Sequence, residues 1–383
     1  MERPISIYVH IPFCASKCWY CDFASVARPD MPEDAYVRAV EAELRARRGE
    51  LTGSVPSVFF GGGTPSLFSP ASIARILDAV RDVADLSGDV EITLEANPGT
   101  VNEEKLAGFR AAGVNRLSFG VQSLRQPVLS SLGREHGPGE AREAAFAAQR
   151  AGYDNFNMDF MYAVPERRGG VCDELDELVA LGLHHLSAYC LTVYEGTPRE
   201  DQVRRGRRPE MDPDASAAEF DAVRARLRDA GFEHYELANF ARPGKRSRHN
   251  IHYWQRGDCV GVGAAAVSFR GRGDDAPYGR RRANIRDADA YIDAVRRECS
   301  AAASEERPSL GEAVGERLFL GLRMLEGVSL AALRDEFGLD VRERYAREFD
   351  DLVAAGLIAF DADHLRLSEK GLFLSDEVFQ RFV

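Results

Sequence analysis

No run of apolar residues in this 383-residue chain approaches the roughly 18 that a membrane-spanning helix needs. The longest near-apolar stretch, Cys259 to Phe269, is short and rich in glycine and alanine. The amino terminus, MERPISIYVHIP, sets Pro4 and Pro12 around a brief apolar run and has no small-residue cleavage site, so no secretory signal is expected there. Lysine is rare, and no internal repeat or low-complexity tract breaks the pattern, which excludes collagen-like and disordered classes. Positive charge is in deficit: 49 Lys plus Arg against 61 Asp plus Glu leave a net charge of −12. That balance favours solubility and gives no global attraction to nucleic acid or anionic lipid. The expectation is a soluble protein, not an integral membrane protein, with no nucleic acid partner.

A disulfide framework is missing too. Seven cysteines is an odd number, and three of them, Cys14, Cys18 and Cys21, fall within eight residues. Clustered thiols in a chain long enough to build a core read as ligands in a reducing compartment. The cytoplasm is the expected location.

What is present is ordinary globular composition, 45% hydrophobic, at a length that suits two or three domains. ISIYVHI (5–11) reads as a strand, and Pro32 opens a helix whose face is Val37, Val40 and Leu44, with Gly49 to stop it. SVFFGG is a second strand, followed by Ser69-Pro70 as cap and first-turn proline of the next helix. EITLEA (91–96), RLSFGV (116–121), NFNMDFMY (155–162) and HLSAYCL (185–191) continue the series. Strands separated by helices predict parallel β/α units, an open sheet or a partial barrel, with the site at the carboxyl ends of the strands. From about 212 to 240 a helix is followed by one more strand, HYELANFA. Residues 242–286 carry eleven Arg and Lys against three Asp, a local +8. The tail from 308 reads as a winged-helix-like module, but its nine basic and fifteen acidic residues lack the footprint of DNA binding. The expected division is 1–210, 211–307 and 308–383.

Cys14-x3-Cys18-x2-Cys21 follows the first strand, so three thiolates converge from one loop at a strand end. Soft thiolates suit iron–sulfur or zinc, and three sulfurs on a 4Fe–4S cluster leave one iron without a protein ligand. The competing reading is a zinc site completed by His10, although no second Cys/His pair is evident. GGGTP (61–65) follows the second strand, where glycines let backbone amides and carbonyls approach a zwitterion.

YVHIPFCASKCWYCDF resembles the radical S-adenosylmethionine (SAM) superfamily, and within it the HemN/HemW group of oxygen-independent coproporphyrinogen oxidases and heme chaperones. The resemblance runs from residue 5 to roughly 270 in ordered blocks. It implies an α/β radical SAM fold: a partial (β/α)6 barrel, a C-terminal α+β extension and the winged-helix-like tail. It implies a 4Fe–4S cluster on Cys14, Cys18 and Cys21, with SAM on the open iron. SAM contacts then fall to Tyr8, Tyr20, Gly62, Gly63, Thr64, Glu95, Gln122, Arg134 and Asp159.

Four features favour the chaperones over the oxidases. Phe23 stands where the oxidases have a fourth cysteine, and the cluster loop is reached at residue 14, without their long leading segment. HNIHYW (249–254) matches an HNxxYW block of the chaperones, and YELANFA (235–241) a second block, with Ala238 where serine is common. An imidazole is a standard axial ligand for heme iron, so His249 is the expected heme ligand and His252 the second candidate, with arginines of the +8 segment for propionates. Three positions depart from the chaperone pattern: Ala265 in place of glycine, Val267 in place of histidine and Tyr194 in place of glutamate. The implied function is binding heme and handing it to an acceptor protein, respiratory and met peripherally at the membrane, by a chain that forms a homodimer. Coproporphyrinogen oxidase activity is not expected. The other version left open is a radical SAM enzyme of the same group, performing decarboxylation, methyl transfer or cyclopropanation.

Overall fold

The computed structural model describes residues 3–273 and 275–382. Six parallel strands lie side by side in chain order: β1 (Ile5–Ile11), β2 (Val55–Gly62), β3 (Leu86–Ala96), β4 (Arg116–Gln122), β5 (Phe156–Tyr162) and β6 (His185–Cys190). Helices Glu33–Ala46, Pro70–Val83, Glu103–Ala112, Pro138–Arg150 and Val171–Ala180 connect them. Ser69 caps the second of these, its hydroxyl accepting from Ser72 N at 3.2 Å. The first ends at Ala46, three residues before Gly49, because a 3-10 turn at Arg48–Glu50 intervenes.

Each strand alternates. Ile7, Val9, Ile92, Leu94, Leu117, Phe119, Met158, Phe160 and Leu186 belong to the apolar core beneath the helices. The residues between them, among them Ser6, Ser118, Asn157 and His185, turn to the concave side and form hydrogen bonds there, as Ser6 does with Ser57 at 2.7 Å. A parallel sheet with both faces in apolar packing would read as continuous hydrophobic runs. Here one face holds chemistry.

The sheet stays open and is extended at both edges. Outside β1 lies Asp258–Val262, parallel, in register from Ile5↔Asp258 to Val9↔Val262, and then three antiparallel strands, Val267–Arg270, Arg280–Asn284 and Ala302–Glu306. Outside β6 lies Asn239–Ala241, antiparallel, with Glu233–His234 beyond it. The region expected to begin a separate extension at 211 therefore completes one twelve-stranded sheet. HYELANFA is two short strands rather than one. Between them Glu236 bridges to Met324, and Leu237 N donates to Arg323 O at 3.0 Å, so this segment turns aside to hold the tail.

Glu43 fastens the extension to the first helix. Fully buried, it accepts from Gly263 N (3.0 Å), Asn284 Nδ2 (2.8 Å) and Tyr291 Oη (2.7 Å). Three donors replace the water a buried carboxylate loses. The tail packs helices Leu310–Gly321, Leu330–Phe337 and Ala346–Ala354 around a three-stranded sheet. Two strands of that sheet form a hairpin, Ile358–Asp361 with His364–Leu367. Among the described residues no helix is long and apolar enough to cross a membrane.

Candidate functional site

A cavity of about 540 Å³ opens at the carboxyl ends of β2 to β5, roofed on one side by the loop that follows β1. Every residue expected to hold the cluster or SAM lines it except Tyr8, whereas the heme candidates His249 and His252 do not. Cys14, Cys18 and Cys21 are free thiols, half-buried on its wall.

Backbone bonds fix their loop. Phe13–Cys14 pairs with Val26–Ala27, Trp19 N donates to Leu132 O at 3.1 Å, and Arg199 N donates to Trp19 O at 2.8 Å. Gly133, at φ +70°, leaves room for the Trp19 indole, which a Cβ there would meet at 2.8 Å. Two side chains reach the sulfurs: Thr64 Oγ1 lies 3.6 Å from Cys14 Sγ, and Arg134 Nη1 lies 3.2 Å from Cys18 Sγ. Burial raises the Cys14 and Cys21 thiols, and the Thr64 hydroxyl partly opposes this at Cys14. An arginine and a hydroxyl aimed at sulfur suit the thiolate charge that metal ligation requires. His10 cannot complete a zinc site as it stands. Its Nδ1 bonds Tyr8 Oη (3.1 Å) and its Nε2 bonds Ala24 O (2.9 Å).

The glycine loop is held from below. Gly62 N donates to Glu95 Oε2 (3.2 Å), Gly63 N to Ile11 O (2.8 Å) and Thr64 N to Phe13 O (2.8 Å). A Cβ at Gly62, φ +115°, would strike the His10 ring at 2.7 Å, and one at Gly63 would meet Phe13 O at 2.6 Å. The sequence suggested amides and carbonyls for a ligand; the amides are consumed internally. What the loop can offer is carbonyl oxygens, which suit an ammonium group.

Opposite lie two carboxylates. Burial, and then the charge of Asp159, push Glu95 up to about 8; burial pushes Asp159 up to about 6 against its hydrogen bond from Asn157. A cationic ligand would favour both ionised forms. Gln122 sits at φ +67° with Oε1 buried and unpartnered, so β4 ends in a strained residue beside the cavity. Ser118 and His136 also line it and were not anticipated. Ser118 shares the inward face of β4 with Arg116, and His136 follows Arg134 by two residues; strand parity alone would have found the first.

Tyr8 lies one layer lower. Its ring packs against both Phe59 and His249, at centroid distances of 6.1 and 6.3 Å, and a Cβ at Gly61 would touch it. His249 lies at the floor. It begins the HNIHYW block on the helix Arg248–Trp254, is 8% exposed, and stacks on Phe59 at 5.0 Å. Ser57 Oγ is 3.0 Å from its Nδ1, and its backbone N donates to Glu91 Oε1 at 3.1 Å. Burial lowers it to about 3, so the imidazole is neutral. Heme ligation by His249 does not fit this position, because a porphyrin needs an open face over the ligating nitrogen. Of the same block, His252 is half-buried, with Nε2 2.7 Å from Asp258 O, and Tyr253 is exposed. Ala265, which departs from the glycine of the chaperone pattern, stands at φ +62°.

Residues 8–178 match the family described as the Radical SAM superfamily, and residues 309–374 match the HemN C-terminal domain. The heme chaperone HemW of Lactococcus lactis is 31% identical over 100% of this chain and 98% of its own length. HemW of Mycobacterium tuberculosis is 35% identical over 98% of this chain and 94% of its own. The mitochondrial radical S-adenosyl methionine domain-containing protein 1 of Bos taurus is 36% identical, over 97% and 86%. The solved coproporphyrinogen III oxidase HemN of Escherichia coli superposes with a TM-score of 0.84 at 22% identity, covering 100% of this chain and 90% of that one, which is a likeness of fold. By full-length similarity, the chain belongs to the family of the HemW heme chaperones, within the radical SAM superfamily.

Proposed function

We propose that this chain is a heme chaperone that binds heme, carries a SAM-coordinated 4Fe–4S cluster, and passes heme to an acceptor protein. The observation that carries this is similarity to proteins named heme chaperone HemW over essentially the whole chain, extension and tail included. The superfamily implies the cluster and SAM. Cys14, Cys18 and Cys21 hold the cluster, and the Gly62–Gly63 carbonyls take the SAM amino group. Tyr20, Thr64, Glu95, Gln122, Arg134 and Asp159 surround the rest of the ligand, with Tyr8 supporting the loop from beneath. When bound, the cluster supplies one-electron chemistry toward the sulfonium of SAM. Heme is sought on the outward side of the HNIHYW block, at His252 and Tyr253, rather than on His249. The acceptor is proposed to be a respiratory protein met at the membrane surface, served by a cytoplasmic homodimer.

A second reading, radical SAM catalysis, draws support from the residues gathered round one cavity. Coproporphyrinogen III supplied with SAM and a strong reductant separates the two. No decarboxylation is expected, and measured turnover would put the enzyme first.

A further inference from the structure

Below the cavity, β5 and β6 carry a line of buried polar groups that leads up to Asp159 on its wall. Asn157 and Asp159 are two apart on β5 and share its inward face; His185 and Ser187 sit opposite them on β6, in register. Asn157 Nδ2 lies 2.8 Å from Asp159 Oδ1 and 2.8 Å from Ser118 Oγ. Asn157 Oδ1 lies 2.7 Å from His185 Nδ1 and 3.2 Å from Ser187 Oγ. His185 Nε2 lies 2.8 Å from Tyr235 Oη, which accepts from Ser247 N at 3.2 Å. Asn157, His185, Tyr235 and Ser247 are all buried.

The direction of each bond is forced. An ionised carboxylate only accepts, so Asn157 turns its amide N–H to Asp159 and its oxygen away. That oxygen only accepts, so His185 carries its proton on Nδ1. Burial holds the imidazole neutral, its pKa far below the ordinary value, so Nε2 is bare and accepts a hydrogen bond from the Tyr235 hydroxyl. One unbroken series of donors thus runs toward Asp159, from the N-cap of the HNIHYW helix, through the tyrosine of YELANFA, to the cavity wall, the second amide hydrogen of Asn157 going to Ser118.

We propose that His185 is a positioning residue for the SAM site: through Asn157 it fixes Asp159 in one rotamer as a pure hydrogen-bond acceptor, and it is itself fixed by Tyr235. The inference rests on the proposed SAM contact at Asp159. It gives the YELANFA tyrosine and the cap of the motif helix a share in that contact, although neither touches the cavity. A purely structural role would need no order of donors; apolar residues at 185 and 235 could fill the same space without a buried network to satisfy.

The test is SAM affinity, measured by anaerobic equilibrium dialysis on the full-length, cluster-reconstituted protein, with iron content and thermal melting recorded for each variant. Asp159→Asn comes first, and unchanged affinity would remove the underlying contact and the inference with it. If it weakens binding, His185→Leu should weaken it by about tenfold, the scale of one hydrogen bond to a charged group. His185→Asn, which keeps a donor near Nδ1, should restore most of that loss. In the Asp159→Asn background His185→Leu should have no further effect, since the two act through one path. Undiminished affinity in folded His185→Leu, or an equal loss in both backgrounds, overturns the proposal. Should His185→Leu not fold, Tyr235→Phe runs through the same cycle, and unaltered SAM affinity there overturns it equally.

Discussion

His249 and Ser57 meet at 3.0 Å, Nδ1 to Oγ, on the concave side of the open sheet and against the ring of Phe59. A histidine so placed contributes to the fold before it can serve a ligand. His249→Ala should cost about 2–4 kcal/mol, through a cavity under Phe59 and an unpaired Ser57 hydroxyl. Chemical denaturation measures that loss, and heme titration of the folded variant should show affinity retained. Intact stability with lost heme binding would restore His249 as the ligand.

The same imidazole makes the protein acid-sensitive. Its pKa falls from about 6.5 unfolded to about 3 folded, so below pH 6.5 the unfolded chain takes up a proton that the native state refuses. Stability is therefore complete above pH 6.5 and is lost as the pH falls. This one group accounts for about 1.4 kcal/mol at pH 5.5. The slope of melting temperature against pH should be shallower in His249→Gln, and an identical slope would show the group to be solvated.

Glu95 runs the other way. Raised to about 8, its folded form binds more protons than the unfolded carboxyl, so it lowers the stability of the ligand-free protein as pH rises from about 4.5 to 8. Glu95→Gln should melt higher than the parent at pH 8 without SAM, with the gap closing toward pH 4.5. It should also bind SAM more weakly. A variant with unchanged melting at pH 8 would mean that Glu95 is solvated there.

Two substitutions test the cluster loop. Cys18→Ser should abolish the broad visible absorbance of a reconstituted cluster, and an unchanged spectrum would end the cluster assignment. Gly63→Ala should displace the loop, because its Cβ falls 2.6 Å from Phe13 O and 2.7 Å from Pro12 O. A cost of about 1–3 kcal/mol and reduced iron content per chain are expected.

Ala265 holds a left-handed backbone, φ +62°, that costs an alanine about 1 kcal/mol relative to glycine. Ala265→Gly should raise stability by about 0.5–1 kcal/mol in urea denaturation, and a loss would show that the position relaxes in solution.

Much of the site was legible because its residues stand at the ends of successive parallel strands. Cys14, Gly62, Glu95 and Gln122 each follow or close an apolar run, and parallel order brings such ends together, while Asp159 faces the cavity from mid-strand. Tyr8 was misplaced by distance along the chain: strand parity aims it inward with His10, but three residues too early to reach the rim. His249 was misplaced because its partners, Ser57 and Glu91, lie more than 150 residues away, and nothing in HNIHYW marks which side is covered. The strand outside β1 was hidden for a related reason. Its run, Asp258–Val262, is short, carries a glycine at 261 and follows a polar loop, and only pairing with Ile5–Val9 makes it a sheet strand.

The central claim is heme binding by the intact chain. An anaerobic titration of the cluster-reconstituted protein with heme, read by the Soret difference spectrum, tests it directly. The account predicts saturable binding at one heme per chain, retained in His249→Ala protein that remains folded. Linear, unsaturable uptake, no different from that of an unrelated acidic protein, would contradict it and turn the search toward a substrate for radical chemistry.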